Sequence, residues 1–207
     1  MQALDSSLSV SVTVPVGPFA KGAVALGFTR GYMQSGAYVH HFGPHTPVVP
    51  KTKQLDFDTN TQAGTDGNGH AVTFAQIYSW MGETAREQIF AVLNRVLSDP
   101  SLTLKVFAYD LNEPDVVKTL LTLAEQGRVR VILDNASLHV TKKGAKGKTP
   151  EDQFTDLFEQ RKKDPSDIVR GSFARFSHDK IFIVSRNGGS AIQVLTGSTN
   201  FSLPGFT

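Results

Sequence analysis

The chain has no cysteine among its 207 residues, which excludes a disulfide framework and any thiolate metal site and leaves the redox compartment open. It also lacks long apolar runs. Nothing approaches the roughly 18 consecutive apolar residues of a membrane span, and Met1-Gln-Ala-Leu-Asp-Ser-Ser7 has neither a basic leader nor an apolar core. The expectation is a soluble, cytoplasmic protein without a signal peptide or transmembrane segment. A formal net charge of +2 is too small to argue by itself for a nucleic-acid partner. No lipid anchor is expected, and the sequence shows no amphipathic membrane stripe and no series of aromatics interleaved with basic residues of the kind single-strand binders use. The length, by contrast, is ample for a core that needs no covalent staples.

Residues 1–70 read as a β-rich module. Val10 to Val14 alternate with Ser and Thr, and short apolar runs at 23–28, 37–42, 46–49 and 70–78 are separated by Gly, Pro, Asn and Ser. Gly64-Thr-Asp-Gly-Asn-Gly69 is a turn-forming loop, and the boundary to a second unit, 71–207, is placed there. His40, His41 and His45 cluster within this module. As strand neighbours His40 and His41 face opposite ways, no carboxylate or further histidine stands at ligand spacing, and they are read as surface or half-buried histidines rather than a metal site.

Beyond residue 80 the apolar period lengthens. Thr84-Ala-Arg-Glu87 is a capping box, followed by Ile89, Leu93, Val96 and Leu97 at helical spacing and a stop at Pro100. A strand over Leu104–Tyr109 comes next. Asn112 is the expected cap of a second helix, with Pro114 and Asp115 in its first turn, Val116, Leu120 and Leu123 as its apolar stripe and Gly127 past its end. A strand over Val129–Asp134 completes a βαβ unit, which predicts a parallel pair in a helix-covered sheet. Asp110 and Asp134 fall at the carboxyl ends of those strands, where open α/β sheets place ligands; each can also be a turn or capping residue, and Asp110 is read that way.

The basic, glycine-rich stretch Thr141–Lys148 reads either as a solvated loop or as a phosphate-attracting flap, since Lys and Arg outnumber Asp and Glu between Thr141 and Arg186. Pro150–Lys163, started by Thr149, is predicted as a short helix with Phe154, Leu157 and Phe158 on one face. The last predicted element is a hairpin, its arms 181–184 and 191–196 flanking Asn187-Gly188-Gly189. In strand geometry His178 and Lys180 point the same way, as do Ser198 and Asn200, and a turn centred near Gly188 sets positions 178 and 198–200 opposite each other across the hairpin. An imidazole, an ammonium, a hydroxyl and a carboxamide converging there suit a phosphate.

His178-x-Lys180 followed by Gly197-Ser198-x-Asn200 resembles the signature of the phospholipase D superfamily. That signature is His-x-Lys, four residues, Asp, and then Gly-Ser-x-Asn at the end of the next strand. The helix before Leu104, the strand ending in Ala108-Tyr109, the second helix and Val129–Asp134 extend the resemblance, while residues 1–70 lie outside it. Ser185 stands where the family has Asp, and the hairpin tip is longer than in the family pattern.

The resemblance implies a mixed α/β sheet flanked by helices and a metal-independent, cofactor-free phosphodiesterase acting through a phosphohistidine. By it, His178 attacks phosphorus, Lys180 and Asn200 hold the phosphoryl oxygens, Ser198 supports them, and the histidine of a second motif serves as general acid and then base. Such a site takes a phosphodiester, phospholipid or nucleic acid, and needs a second half from a C-terminal segment, another chain or a homodimer mate. Because Thr207 follows the motif so closely, a longer or cleaved parent is the favoured expectation. The opposing expectation, motivated by Ser185, is a binding protein that keeps the pocket without turnover.

Overall fold

A computed structural model describes residues 19–29, 36–171, 177–187 and 189–206. The order of elements is β1 (Phe19–Lys21), β2 (Val24–Leu26), α1 (Gly36–Phe42), β3 (Gln62–Thr65), β4 (Ala71–Thr73), α2 (Phe74–Ser98), β5 (Leu102–Ala108), α3 (Pro114–Glu125), β6 (Val129–Asp134), α4 (Pro150–Arg161), β7 (Asp167–Gly171), β8 (Lys180–Arg186) and β9 (Ala191–Thr196), closed by a 3-10 turn at Pro204–Phe206. The fold is mixed α/β. Its centre is a five-stranded sheet of order β7-β6-β5-β8-β9, parallel where β5, β6 and β7 pair and antiparallel from β5 through β8 to β9.

The βαβ expectation is met in detail. Leu102, Leu104, Val106 and Ala108 alternate with more exposed residues along β5, as do Val129, Val131 and Leu133 along β6. These side chains share one core with Ile89, Leu93 and Val96 of α2, Val116, Leu120 and Leu123 of α3, and Phe154 and Phe158 of α4. Gly127 ends α3 at φ +71, and a Cβ there would lie 2.6 Å from the Asp164 carbonyl oxygen, so both the backbone conformation and the space call for glycine. α3 is capped by Glu113 rather than Asn112: the Glu113 carboxylate accepts from the Val116 amide at 2.6 Å, while Asn112 accepts from the Leu203 amide at 2.8 Å. Thr149 caps α4 as expected, accepting from the Asp152 amide.

Helix cover reaches only one face of the sheet among the described residues. On the other face Val169, Ile192 and Val194 are exposed beside Lys105 and Arg130, whereas parallel strands are ordinarily buried on both sides.

The N-terminal part departs further from its sequence reading. Val10 to Val14 lie outside the described residues. β1–β2 and β3–β4 are hairpins, but 37–42 falls in α1, residues 46–49 form no strand, and within 70–78 only Ala71–Thr73 is strand before α2 starts. α2 is opened by a second capping box, Thr73 with Gln76, and is broken at Glu83 (φ 42, ψ −132) next to the expected start. Thr84 does not cap; its hydroxyl bonds both the amide and the carbonyl of Phe28. The 64–69 loop joins β3 to β4, with Asp66 accepting the amides of Asn68 and His70, so the division between 1–70 and 71–207 falls inside a hairpin. A second core unites Tyr38 and Phe42 of α1 with Phe74, Ile77, Tyr78 and Met81 of α2 and with Leu203.

Candidate functional site

Lys180 opens β8 at the carboxyl end of β5, opposite Ala108. The β8–β9 register pairs Ile181 with Thr196, which brings the chain on either side, 177–180 and 197–200, to the same end of the sheet. Gly188 and Phe173 to Phe176 lie outside the described residues. After β9 the chain turns beneath Leu111: Phe201 bridges to it and receives the amides of Asn112 and Glu113 on its carbonyl.

His178 is exposed, with its ring edge-to-face on Tyr109 at 4.5 Å between centroids. Lys180 is 3% exposed. Its ammonium donates to the His178 carbonyl at 2.8 Å and sits 5.2 Å from the Tyr109 ring centre. No carboxylate lies within ion-pair distance of it among the described residues. Burial lowers the Lys180 ammonium below its ordinary value, an effect that the nearby charges of Asp110 and Asp179 only partly oppose. A buried ammonium so placed is stabilised by any anion that reaches it. Asn200 is half-buried and donates from Nδ2 to Asp110 at 2.8 Å, leaving a buried Oδ1 without a partner among the described residues. Ser198 is exposed.

Beneath these residues lies a buried polar layer that the sequence reading did not assemble. His139, 4% exposed, places Nδ1 2.9 Å from Asp134 and Nε2 2.7 Å from Asp110. Its ring packs against Tyr109 at 4.4 Å, on the same aromatic that His178 touches. Asp134 is 2% exposed and also accepts the amides of Ala136 and Ser177. Burial pushes its carboxyl up, but those amides and His139 outweigh burial and hold it below the usual range. Glu151, in the first turn of α4, accepts the Leu111 amide at 3.2 Å, and burial raises its carboxyl. Asp110 is thus part of the site and not merely a turn residue.

Asp110, His139 and Glu151 offer ligand atoms within 4.8 Å of one another. Both ring nitrogens of His139 are already committed to carboxylates and Asp110 also holds Asn200, so the set as arranged is a hydrogen-bond cluster rather than an open metal site. For the same reason His139 is not a second catalytic histidine facing His178. The loop carrying Lys142, Lys143 and Lys146 is exposed and tied at its base, where Thr149 donates its amide to Thr141 and its hydroxyl to the His139 carbonyl. It therefore hangs beside this layer. His40, His41 and His45 are exposed and lie outside this cluster. His41 stacks on Trp80 at 5.2 Å and, with His40, lines a hollow of about 880 Å³ bordered also by Asp66, His70 and Gln76, none of them residues of this site.

Ser185 lies at the far end of β8, paired with Thr103. Five residues at about 3.3 Å each put it roughly 16 Å from Lys180. No protein-family model matches the chain, and no curated protein does either.

Proposed function

We propose that this chain carries one half of a phospholipase D-like phosphodiesterase site. The observation that carries the reading is Lys180: a buried ammonium with no ion-pair partner among the described residues, beside an exposed imidazole and a carboxamide held by Asp110. In this reading the phosphate enters between His178 and Asn200. Lys180 takes a non-bridging oxygen, joined by Asn200 and Ser198, and stabilises the charge that grows there as phosphorus is attacked. A ring nitrogen of His178 forms the bond to phosphorus while the bond to the leaving oxygen breaks, and that oxygen takes a proton from a general acid. Water then attacks the phosphohistidine, giving its proton back to the same acid and freeing His178.

His139 cannot be that acid, so the acid comes from a second motif, on another segment or on a mate across a two-fold axis. The same commitment of His139 favours a second reading for the chain by itself: it binds phosphate or nucleic acid without turnover. Assay of the complete assembly on a generic phosphodiester with chelator present tests the proposal. Hydrolysis is expected, with loss of at least about a hundredfold in His178→Ala. Equal activity of His178→Ala and parent would sink the enzyme reading. Plasmid DNA, single-stranded nucleic acid and phosphatidylcholine vesicles offered side by side then separate nuclease from lipase.

A further inference from the structure

We propose that Asp134, His139 and Asp110 form a proton-bearing brace, in which an imidazolium His139 clamps two carboxylates and through them positions both ends of the motif. The carboxylates reach outward in opposite directions. Asp134 Oδ1 accepts the amide of Ser177, the residue before His178, at 2.8 Å. Asp110 Oδ2 accepts from Asn200 Nδ2, also at 2.8 Å. Between them stands one ring, with Asp134 Oδ2 on Nδ1 and Asp110 Oδ1 on Nε2. The segment entering β8 and the segment leaving β9 are thereby tied to the ends of β6 and β5 through a single imidazole.

Proton counting gives the brace its charge. An ionised carboxylate only accepts, and a neutral imidazole has one N–H. Satisfying both contacts therefore takes one proton more than a neutral ring between two carboxylates holds. Asp134 is an unfit place for it, since its oxygens already accept two backbone amides besides the ring, and Asp110 accepts from Asn200 on its other oxygen, a bond that an ionised carboxylate makes stronger. Placed on the ring, the proton makes both bonds charge-assisted and offsets carboxylate charge that would otherwise repel a phosphate from Lys180. The other groups facing His139 are the Tyr109 ring, Glu151 from α4, and Arg170 from β7, which donates to the His139 carbonyl at 2.8 Å. His139 is thus a positioning residue: it is buried behind Tyr109 and acts through Asp110 and Asp134.

The brace stands on geometry alone; its bearing on phosphate rests on the function proposed above. Imidazole nitrogen NMR of the intact chain near neutral pH tests the first. Both nitrogens of His139, assigned by their loss in His139→Gln, are expected to carry slowly exchanging protons. A ring with one protonated nitrogen overturns the brace. His139→Gln is further expected to move the Asn200 side-chain amide and Ser177 amide resonances, while Leu138→Ala, at an exposed neighbour, moves neither; unmoved resonances in His139→Gln also overturn it. Should His139→Gln fail to fold, Asp110→Asn at a half-buried position serves, with loss of the Nε2 proton expected and its retention counting against the brace. Titration with inorganic phosphate tests the second part. Binding roughly tenfold or more weaker in His139→Gln than in the parent is expected from loss of charge-assisted hydrogen bonds, and equal binding overturns the positioning role. A parent that binds no phosphate at all refutes the proposed function instead, and the spectra still decide the brace.

Discussion

The two ends of β8 are built from different materials. At the start, Lys180 is buried and its neighbours His178 and Ser177 adjoin a layer of ionisable groups, the half-buried Asp110 and the buried Asp134, His139 and Glu151. At the finish, a buried Ser185 and an exposed Arg186 meet the short side chains of Thr103 and Ser101, with Asp99 3.9 Å from the guanidinium. Thr103 donates to the Ser185 carbonyl at 3.3 Å, and Arg186 donates to Ser101 at 3.1 Å. Burying charge is costly unless it is paired or used, so the charged end is the one for which structure alone gives no sufficient reason. The positions matching the phospholipase D pattern and the one departing from it fall at opposite ends. In the proposed site, the departure at Ser185 therefore falls in strand packing and the matches fall at the phosphate end.

Replacing Lys180 should separate the ends most sharply. Lys180→Met keeps the volume and removes the ammonium. Phosphodiester hydrolysis by the complete assembly is expected to drop by about 10² to 10³, the usual scale for one electrostatic stabiliser. Folding stability is expected to hold or rise, since an unpaired buried ammonium disfavours the folded state. A urea midpoint falling together with activity would show that Lys180 is structural, and the contrast between the ends would collapse.

Asp134→Asn comes next. It leaves the His139 ring facing an amide, and loss of a buried charge partner costs on the order of 3 kcal/mol. The carboxyl is held below its usual range in the folded state. Its contribution is therefore fully present above the unfolded value near 4 and is lost as pH falls through the depressed folded value. Denaturant midpoints between pH 2 and 6 should show an acid limb in the parent that is shallower in Asp134→Asn; parallel curves would assign the limb to other carboxylates.

How much of this was legible beforehand depended on the distance over which each signal acts. The βαβ unit, α4 and the closing hairpin are written in local patterns: Val129–Asp134 alternates, Gly127 ends a helix, and Asn187 sits between two β-branched runs. Positions 37–42 and 74–78 misread because short apolar stretches serve a buried helix turn as well as a strand; the Thr73–Gln76 box was the overlooked arbiter. The Glu113 cap was obscured because Asn112 is the better capping type, and tertiary contact with Leu203 engages it instead. His139 had no local signature. Its partners stand 5 and 29 residues away in sequence, and only the sheet brings Asp110 and Asp134 to one imidazole.

Ser185→Asp is the smallest expected effect and the cleanest check on reading the two ends separately. It installs the residue type that the superfamily pattern has there, at a site 7% exposed. If that aspartate were needed by the pocket, activity should increase. Packing argues otherwise: Ser185 pairs with Thr103 at the start of β5, far from Ala108 at the site end, and the neighbouring Arg186 is already engaged by Asp99 at 3.9 Å and Ser101 at 3.1 Å. A carboxylate at that position is desolvated without compensation, which should lower the denaturant midpoint by the equivalent of about 1–3 kcal/mol. Turnover per folded molecule should stay within about twofold of the parent, since a site roughly 16 Å away along the strand is not repositioned by a local change. A severalfold gain in turnover would instead mean that the far end of β8 communicates with His178, and the missing aspartate would then have to be counted among the residues that make the pocket active.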